Sequence, residues 1–489
     1  MTDAALIGID IGTSAVKAMV FDQAGSALAS FSEAYPTQRP KPGHAEQDAE
    51  TWTALVADGL RTLAAKQNLA SVEAIGVTSQ VNTHVFVDRQ GNALAPAIVW
   101  QDGRCEAEAA ELTERIPQEQ RIAWWGEPRP IDASHCLARM FWMSRHHPDL
   151  WAKTWKVMLP RDYCIYRMTG EVATDPIANI GLVNTQLRYP ADMLDYVPGA
   201  AERMVPLADM TDIAGRVKNG QPCAGKPVAV GTMDAWAGMF GTGVPGQGQA
   251  VYLSGTSEVL GIMSEKSVPT PGVLTFPTYR DMTLHAGPTQ SGGAAFLWCS
   301  RLLNRSPEEL VRMVEALDFD KPAPLFLPHL QGERAPLWDI NARGTFLGMD
   351  TSTGPAELAR AVFEGVACSA ALLSERLEQC ADQVCSDINC GGGGFRSDVW
   401  NQIRADILGK DLKRTAVKDP GVLGAAGLAA VAAGLQPDIE AAFSELVHFD
   451  RTYRPNPNRQ ERGQKLLALY KKAYEDARDC NHALVQLYA

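Results

Sequence analysis

The chain is 489 residues long, too long for one small core, so two large lobes are expected. Hydrophobic residues make up 46% and charged residues 21%, an ordinary globular composition that excludes extended disorder. A formal charge of −12 and a pI near 5.3 argue against a nucleic-acid partner, although backbone N–H groups can still supply positive charge locally. The ten cysteines include no CxxC pair, and Cys380, Cys385 and Cys390 recur every five residues. That spacing suits neither a zinc knuckle nor a redox pair, so buried reduced thiols are expected.

Residues 1–5 lack a basic n-region and lead into a strand, so no signal peptide is expected. Leu6 to Ser14 reads as a strand entering a glycine-bearing turn, followed by strands at Val16 to Phe21 and Ser26 to Tyr35. Ala49 to Gln67 has helical spacing, with Trp52, Leu55, Val56, Leu60 and Leu63 on one face. A strand follows at Val72 to Thr78, then a hairpin-like pair, His84 to Val87 and Ala93 to Trp100. This order predicts an α/β domain with a mixed sheet.

Pro227 to Gly231 reads as a strand, after which Asp234 opens a helix rich in small residues. The glycine-rich connector Gly243 to Gly248 sets the expected boundary, with lobes at 1–245 and 246–489. Ser254 to Met263 then echoes Ile11 to Val20: strand, Gly-Thr-Ser turn, strand. Pro355 to Cys380 predicts a long helix with Leu358, Val362, Val366 and Leu373 on one face. Gly391 to Gly394 follows a strand-like segment and precedes a helix, Asp398 to Leu408, that Ser397 is placed to cap. Gly421 to Leu435 is apolar but short and rich in Gly and Ala, which fits a tightly packed core helix and no membrane span. A last amphipathic helix is expected from about Arg459 to Leu487, with Leu466, Leu467, Leu469, Tyr470 and Tyr474 packing.

Several segments carry chemistry, each beside a plainer reading. Asp10 at a strand end, next to Gly12-Thr13-Ser14, suits a carboxylate holding Mg²⁺ while the turn cradles phosphate; an ordinary hairpin turn also fits. A second turn at Gly255-Thr256-Ser257 favours the phosphate reading. Asp234 suits a general base for a substrate hydroxyl or a helix N-cap, and the two uses are compatible. Gly391 to Gly394 suits backbone lying flat on adenosine, or a flexible loop. Trp100, Asp102 and Arg104 suit a sugar platform, or a salt-bridged turn. Gly332-Glu333-Arg334 reads equally as a solvated turn. No GxxxxGK[ST] loop is present, which disfavours a P-loop nucleotidase.

Taken together, the motifs resemble the FGGY family of carbohydrate kinases, and within it the xylulose kinases. Asp10 to Ser14 looks like the first phosphate motif, Trp100-Gln101-Asp102-Gly103-Arg104 like W-x-D-x-R, and Leu159 to Tyr163 with Met168 to Glu171 like "LPKDY…TGE". Asp234 falls on the catalytic aspartate and Gly255-Thr256-Ser257 on the second phosphate motif. Gly332 to Pro336 looks like "GERTP", Gly344 to Glu364 like the C-terminal signature, and Gly391 to Gly394 like the adenosine loop. The order runs from residue 6 to about residue 480.

The resemblance implies an actin-like, ribonuclease-H-like fold of two lobes around a cleft, and cytoplasmic ATP- and Mg²⁺-dependent transfer of a phosphoryl group to a small sugar or polyol. It makes Asp234 the base and, with Asp10, a metal ligand. It assigns ATP to Gly12, Thr13, Ser14, Lys17, Gly255, Thr256, Ser257, Gly392, Gly393, Gly394 and Ser397, and the sugar to Gln80, Val81, Asn82, Trp100, Asp102, Arg104 and Asp234. Xylulose kinases carry Gln-Met-His-Gly where this chain has Gln80-Val81-Asn82-Thr83, so Asn82 stands in place of a histidine. The Arg-Glu pair of glycerol kinases is also missing there. Trp124-Trp125-Gly126-Glu127 departs from the pattern too. The sugar therefore stays open among ketoses, tetrose derivatives and polyols, and a homodimer is one option for assembly. The rival readings are an actin-like ATPase without a sugar, and a non-catalytic sugar- or nucleotide-binding relative.

Overall fold

In the computed structural model the described residues are 5–487; residues 1–4, part of the leader reading, lie outside them. They form two compact units. The first runs to Pro245 and adds Pro277–Tyr279 and Asp419–Val447. The second takes Gly246–Phe276, Arg280–Lys418 and the chain from His448 on. The expected lobe 246–489 is thus corrected: Asp419–Val447 packs with the first unit, for a reason visible in its glycine contacts.

The first unit is built on six strands: β1 (Ala5–Ile11), β2 (Ala15–Phe21), β3 (Ala27–Ala34), β4 (Val72–Ser79), β5 (Ile213–Arg216) and β6 (Pro227–Ala229), in the order β3-β2-β1-β4-β6-β5. β1, β4 and β6 are parallel neighbours; β3, β2 and β5 run antiparallel to their partners. The helix α1 (Ala49–Lys66) is capped by Asp48, which accepts from the Glu50 N–H. It buries Trp52, Val56, Leu60 and Leu63 against this sheet, while Leu55 is partly buried. Each such aliphatic side chain contributes about 1.5–3 kcal/mol by leaving water. The expected hairpin 84–100 is reduced to isolated bridges, His84 with Ile98 and Val87 with Ala93. Val85–Val87 pairs instead with Lys156–Met158, and Ala97–Ile98 with Glu46–Gln47.

The second unit repeats the scheme. Its strands β7 (Ala250–Ser254), β8 (Glu258–Ser264), β9 (Leu274–Thr275), β10 (Thr283–Pro288), β11 (Asp387–Gly391), β12 (Asp411–Thr415) and β13 (Phe449–Tyr453) lie in the order β9-β10-β8-β7-β11-β12-β13. Its β10-β8-β7-β11-β12-β13 core matches the first sheet strand for strand and direction for direction. The repeated Gly-Thr-Ser turn is therefore the local trace of a repeated sheet.

Five helices beyond α1 matter for the site: α2 (Asp234–Gly241), α3 (Gly293–Leu303), α4 (Pro355–Ala381), α5 (Asp398–Leu408) and α6 (Pro420–Ala432). Val362, Val366 and Leu373 of α4 are buried as expected. α6 lies directly on β1 and β4. A Cβ at Gly8 would stand 1.9 Å from the Val422 carbonyl oxygen, and one at Gly76 1.8 Å from that of Ala425. Only glycine permits that approach, and it draws residues 419–447 into the first unit. The final helix, α7 (Pro457–Leu487), buries Leu467 and Tyr470, but Leu469 is 60% exposed, against expectation. Eight cysteines are buried, whereas Cys223 is half-buried and Cys480 exposed. No helix among the described residues is long and apolar enough to cross a membrane.

Candidate active site

Strand register brings the first cluster together. Ile11 is level with Ser79, and Ser79 bridges Met233, so Gly12, Gln80 and Asp234 follow one another across the carboxyl ends of β1, β4 and the β6–α2 junction. Ligands in open α/β sheets bind at such strand ends. Asp10, near the end of β1, has its carboxyl pushed up to about 7, chiefly by burial, then by the negative charge of Asp234, with Lys17 opposing. Its buried Oδ1 has no protein partner. Asp234 is raised to about 6 by burial, against the pull of the Ala235 N–H it accepts at 2.8 Å. It is the first residue of α2, not its N-cap, which is Met233. Lys17, expected at phosphate, pairs with Asp419 just before α6. Sequence reasoning missed Asp419, which lies 402 positions from its partner.

The expected sugar residues divide into two groups. Gln47, also missed, donates to the Thr13 carbonyl at 2.8 Å and to Thr37 Oγ1 at 2.7 Å. A carbonyl can only accept, so the Gln47 amide faces one way and its Oε1 takes the Gln80 amide at 2.8 Å. Gln80 Oε1 is left buried without a partner. Trp100 stands 37% exposed, its indole N–H donating to Thr13 Oγ1 at 3.0 Å. Asn82 has φ 50°, its carbonyl held by Arg139 and its amide donating to Ser134 Oγ at 3.3 Å. Val81 beside it is half-buried.

Asp102 belongs to the other group. Its two oxygens are taken by the Ala45 and Arg104 N–H groups and by the Arg104 guanidinium, which also reaches Glu46 at 2.7 Å. The salt-bridged turn is what forms, and Asp102 is occupied by the protein. Trp124 and Trp125 pack edge to face. Trp125 donates to the Gly181 carbonyl at 3.0 Å.

In the second unit three glycine segments meet. The Gly255 N–H bonds Ser257 O at 2.9 Å, closing the Gly255-Thr256-Ser257 turn. Gly293 and Ala294, at the start of α3, donate to the Gly255 and Thr256 carbonyls at 3.0 and 2.9 Å. A Cβ at Gly392 would lie 2.5 Å from Ser254 O, and one at Gly394 2.0 Å from Ser254 Oγ, so the Gly392–Gly394 loop rests on the residue before the turn. A Cβ at Gly393 would meet nothing within 4 Å. Ser397 caps α5, accepting from the Trp400 N–H. Gly292 and Gly293 carry no motif that a single sequence reveals.

No trio of His, Cys, Asp or Glu among the described residues forms a metal cage. Mg²⁺ needs none: it takes one or two carboxylates and completes its shell with phosphate and water, which the orphaned Asp10 oxygen and neighbouring Asp234 suit.

The models of the N-terminal and C-terminal domains of the FGGY family of carbohydrate kinases match residues 5–241 and 250–433. The chain belongs to the FGGY family of carbohydrate kinases. It is an ATP-dependent sugar kinase with the family's two-domain, actin-like α/β fold. The xylulose kinase of Escherichia coli (strain K12) is 32% identical over 482 residues, 96% of this chain and 98% of that protein. The ligand-bound xylulose kinase of Lactobacillus acidophilus superposes with a TM-score of 0.86 at 26% identity, covering 97% of this chain and 98% of that one. A gluconate kinase structure from the same organism gives the same figures.

Proposed function

We propose that this kinase transfers the γ-phosphoryl group of ATP to a hydroxyl of a small ketose, D-xylulose or a close relative, with Asp234 as general base. The observation that carries the reading is the pair Asp10 and Asp234, set at the ends of β1 and β6 on either side of Gln80 at the end of β4, and each raised by burial. Asp234, ionised above about pH 6, accepts the proton of the hydroxyl it orients. Trp100 covers the sugar's C–H face, and Gln80 and Asn82 meet its hydroxyls. Within the first unit the Gly12–Ser14 turn and Lys17 are phosphate-binding elements; within the second unit the Gly255–Ser257 turn, Gly292–Gly293 and the Gly392–Gly394 loop are nucleotide-binding elements. Asp10, with Asp234, would hold Mg²⁺, which would supply positive charge to the phosphate oxygens. Positioning and charge neutralisation lower the barrier more than early deprotonation does.

A coupled ADP-release screen over ketoses, aldoses, aldonates and polyols tests the reading, with D-xylulose first because relatives bear that name. Asp234→Asn is expected to lower turnover by about two orders of magnitude or more while MgADP binding is kept. Wild-type turnover in that variant removes Asp234 from the role.

A further inference from the structure

The Gly255–Ser257 turn and the Gly392–Gly394 loop come from distant stretches of chain, yet one buried guanidinium holds both. Arg404 of α5 is 0% exposed. Its Nη1 donates to the Gly394 carbonyl at 2.9 Å and to Asn401 Oδ1 at 3.3 Å. Its Nη2 donates to Ser254 Oγ at 3.1 Å and to Glu258 Oε1 at 2.7 Å. Ser254 also donates to that Glu258 oxygen at 2.8 Å, and the Tyr252 hydroxyl donates to the other at 2.6 Å. The rings of Trp400, Phe395 and Tyr252 surround the guanidinium at 4.2, 4.6 and 5.4 Å. Glu258, the residue directly after the turn, is itself 1% exposed.

A glycine loop has no side chains with which to hold its own shape, so its backbone must be tied from outside. Arginine's planar fork sends donors in two directions at once, here to the loop and to the strand end bearing the turn. We propose that Arg404, paired with Glu258, is a positioning residue for nucleotide: it fixes the spacing between the two glycine segments. The proposal rests on reading those segments as nucleotide contacts.

The test is calorimetric titration of full-length protein with MgADP, with melting curves recorded without nucleotide. Arg404→Lys keeps the charge beside Glu258 but has a single nitrogen, which cannot span both segments. It is expected to weaken MgADP binding about tenfold or more at temperatures well below its melt. Ser254→Ala, which removes only the hydroxyl between guanidinium and carboxylate, is expected to weaken it about threefold and serves where Arg404→Lys does not fold. Gly393→Val is the reference, because a Cβ at this position meets no protein atom within 4 Å and the added side chain stands where the loop would face a ligand. If Gly393→Val weakens MgADP while Arg404→Lys and Ser254→Ala lower only the melting temperature, Arg404 is a packing residue and the proposal is overturned. If Gly393→Val leaves affinity intact, the nucleotide reading of the loop fails and takes the proposal with it.

Discussion

Gln80 donates its side-chain amide to Oε1 of Gln47 at 2.8 Å, and the direction of that bond leaves the Gln80 carbonyl oxygen free. In the proposed sugar site this buried acceptor would take a hydrogen bond from a substrate hydroxyl. Gln47→Leu keeps the volume but lets the Gln80 amide rotate. Its sugar KM is expected to rise about fivefold, the worth of one oriented hydrogen bond, with the ATP KM within about twofold of wild type. Equal rises in both constants would mark Gln47 as a packing residue.

The raised carboxyl of Asp10 makes stability depend on pH. Between the ordinary value of 3.8 and about 7 the folded chain keeps a proton that the unfolded chain has released. Stability from this group is therefore present at low pH, falls as pH rises through that window, and levels off above it. Asp10→Asn carries no such dependence. In chelator, its melting temperature is expected to exceed the wild-type value at pH 8, by an equivalent on the order of 2–4 kcal/mol, and the gap is expected to close toward pH 4. A gap that is constant with pH refutes this origin.

Gly76→Ala probes the seat of α6. The new methyl would stand 1.8 Å from the Ala425 carbonyl oxygen, a backbone atom that cannot swing aside. A loss of about 3 kcal/mol or more is expected by chemical denaturation. A loss under 1 kcal/mol would mean that the helix shifts freely on the sheet.

Asn82→His installs the histidine that the family resemblance places at this position. Histidine, like asparagine, tolerates the left-handed backbone found here at φ 50°. The ratio of kcat/KM for D-xylulose to that for the other sugars turned over is expected to rise about tenfold, measured in the ADP-release assay. An unchanged ranking shows that residue 82 does not choose the sugar.

Local pattern carried much of this molecule. The first three strands and α1 are legible because alternation and 3.6-residue spacing report burial directly, whereas the doubled Gly-Thr-Ser turn proves to mark a doubled sheet only once the strands are seen. What stayed hidden depends on long-range pairing. Nothing near Gln47 says that it will meet Gln80, and nothing near Asp419 says that it will meet Lys17. Asp102 misled for the same reason: an acid beside an aromatic looks like a sugar ligand until the Ala45 N–H and Arg104 are seen to occupy it. The apolar composition of 421–435 announces a packed helix, which forms over Pro420–Ala432, but which sheet it packs on depends on Gly8 and Gly76, hundreds of residues earlier.

That dependence bears on how the chain acquires its form during synthesis. The sheet of the first unit receives its covering helix only when residues 420–432 have been made, long after β1 and β4. The glycine faces of those strands therefore wait uncovered at the ribosome while most of the protein is still being translated. A fragment ending at residue 245 would keep that face bare, and is expected to aggregate where the full chain folds.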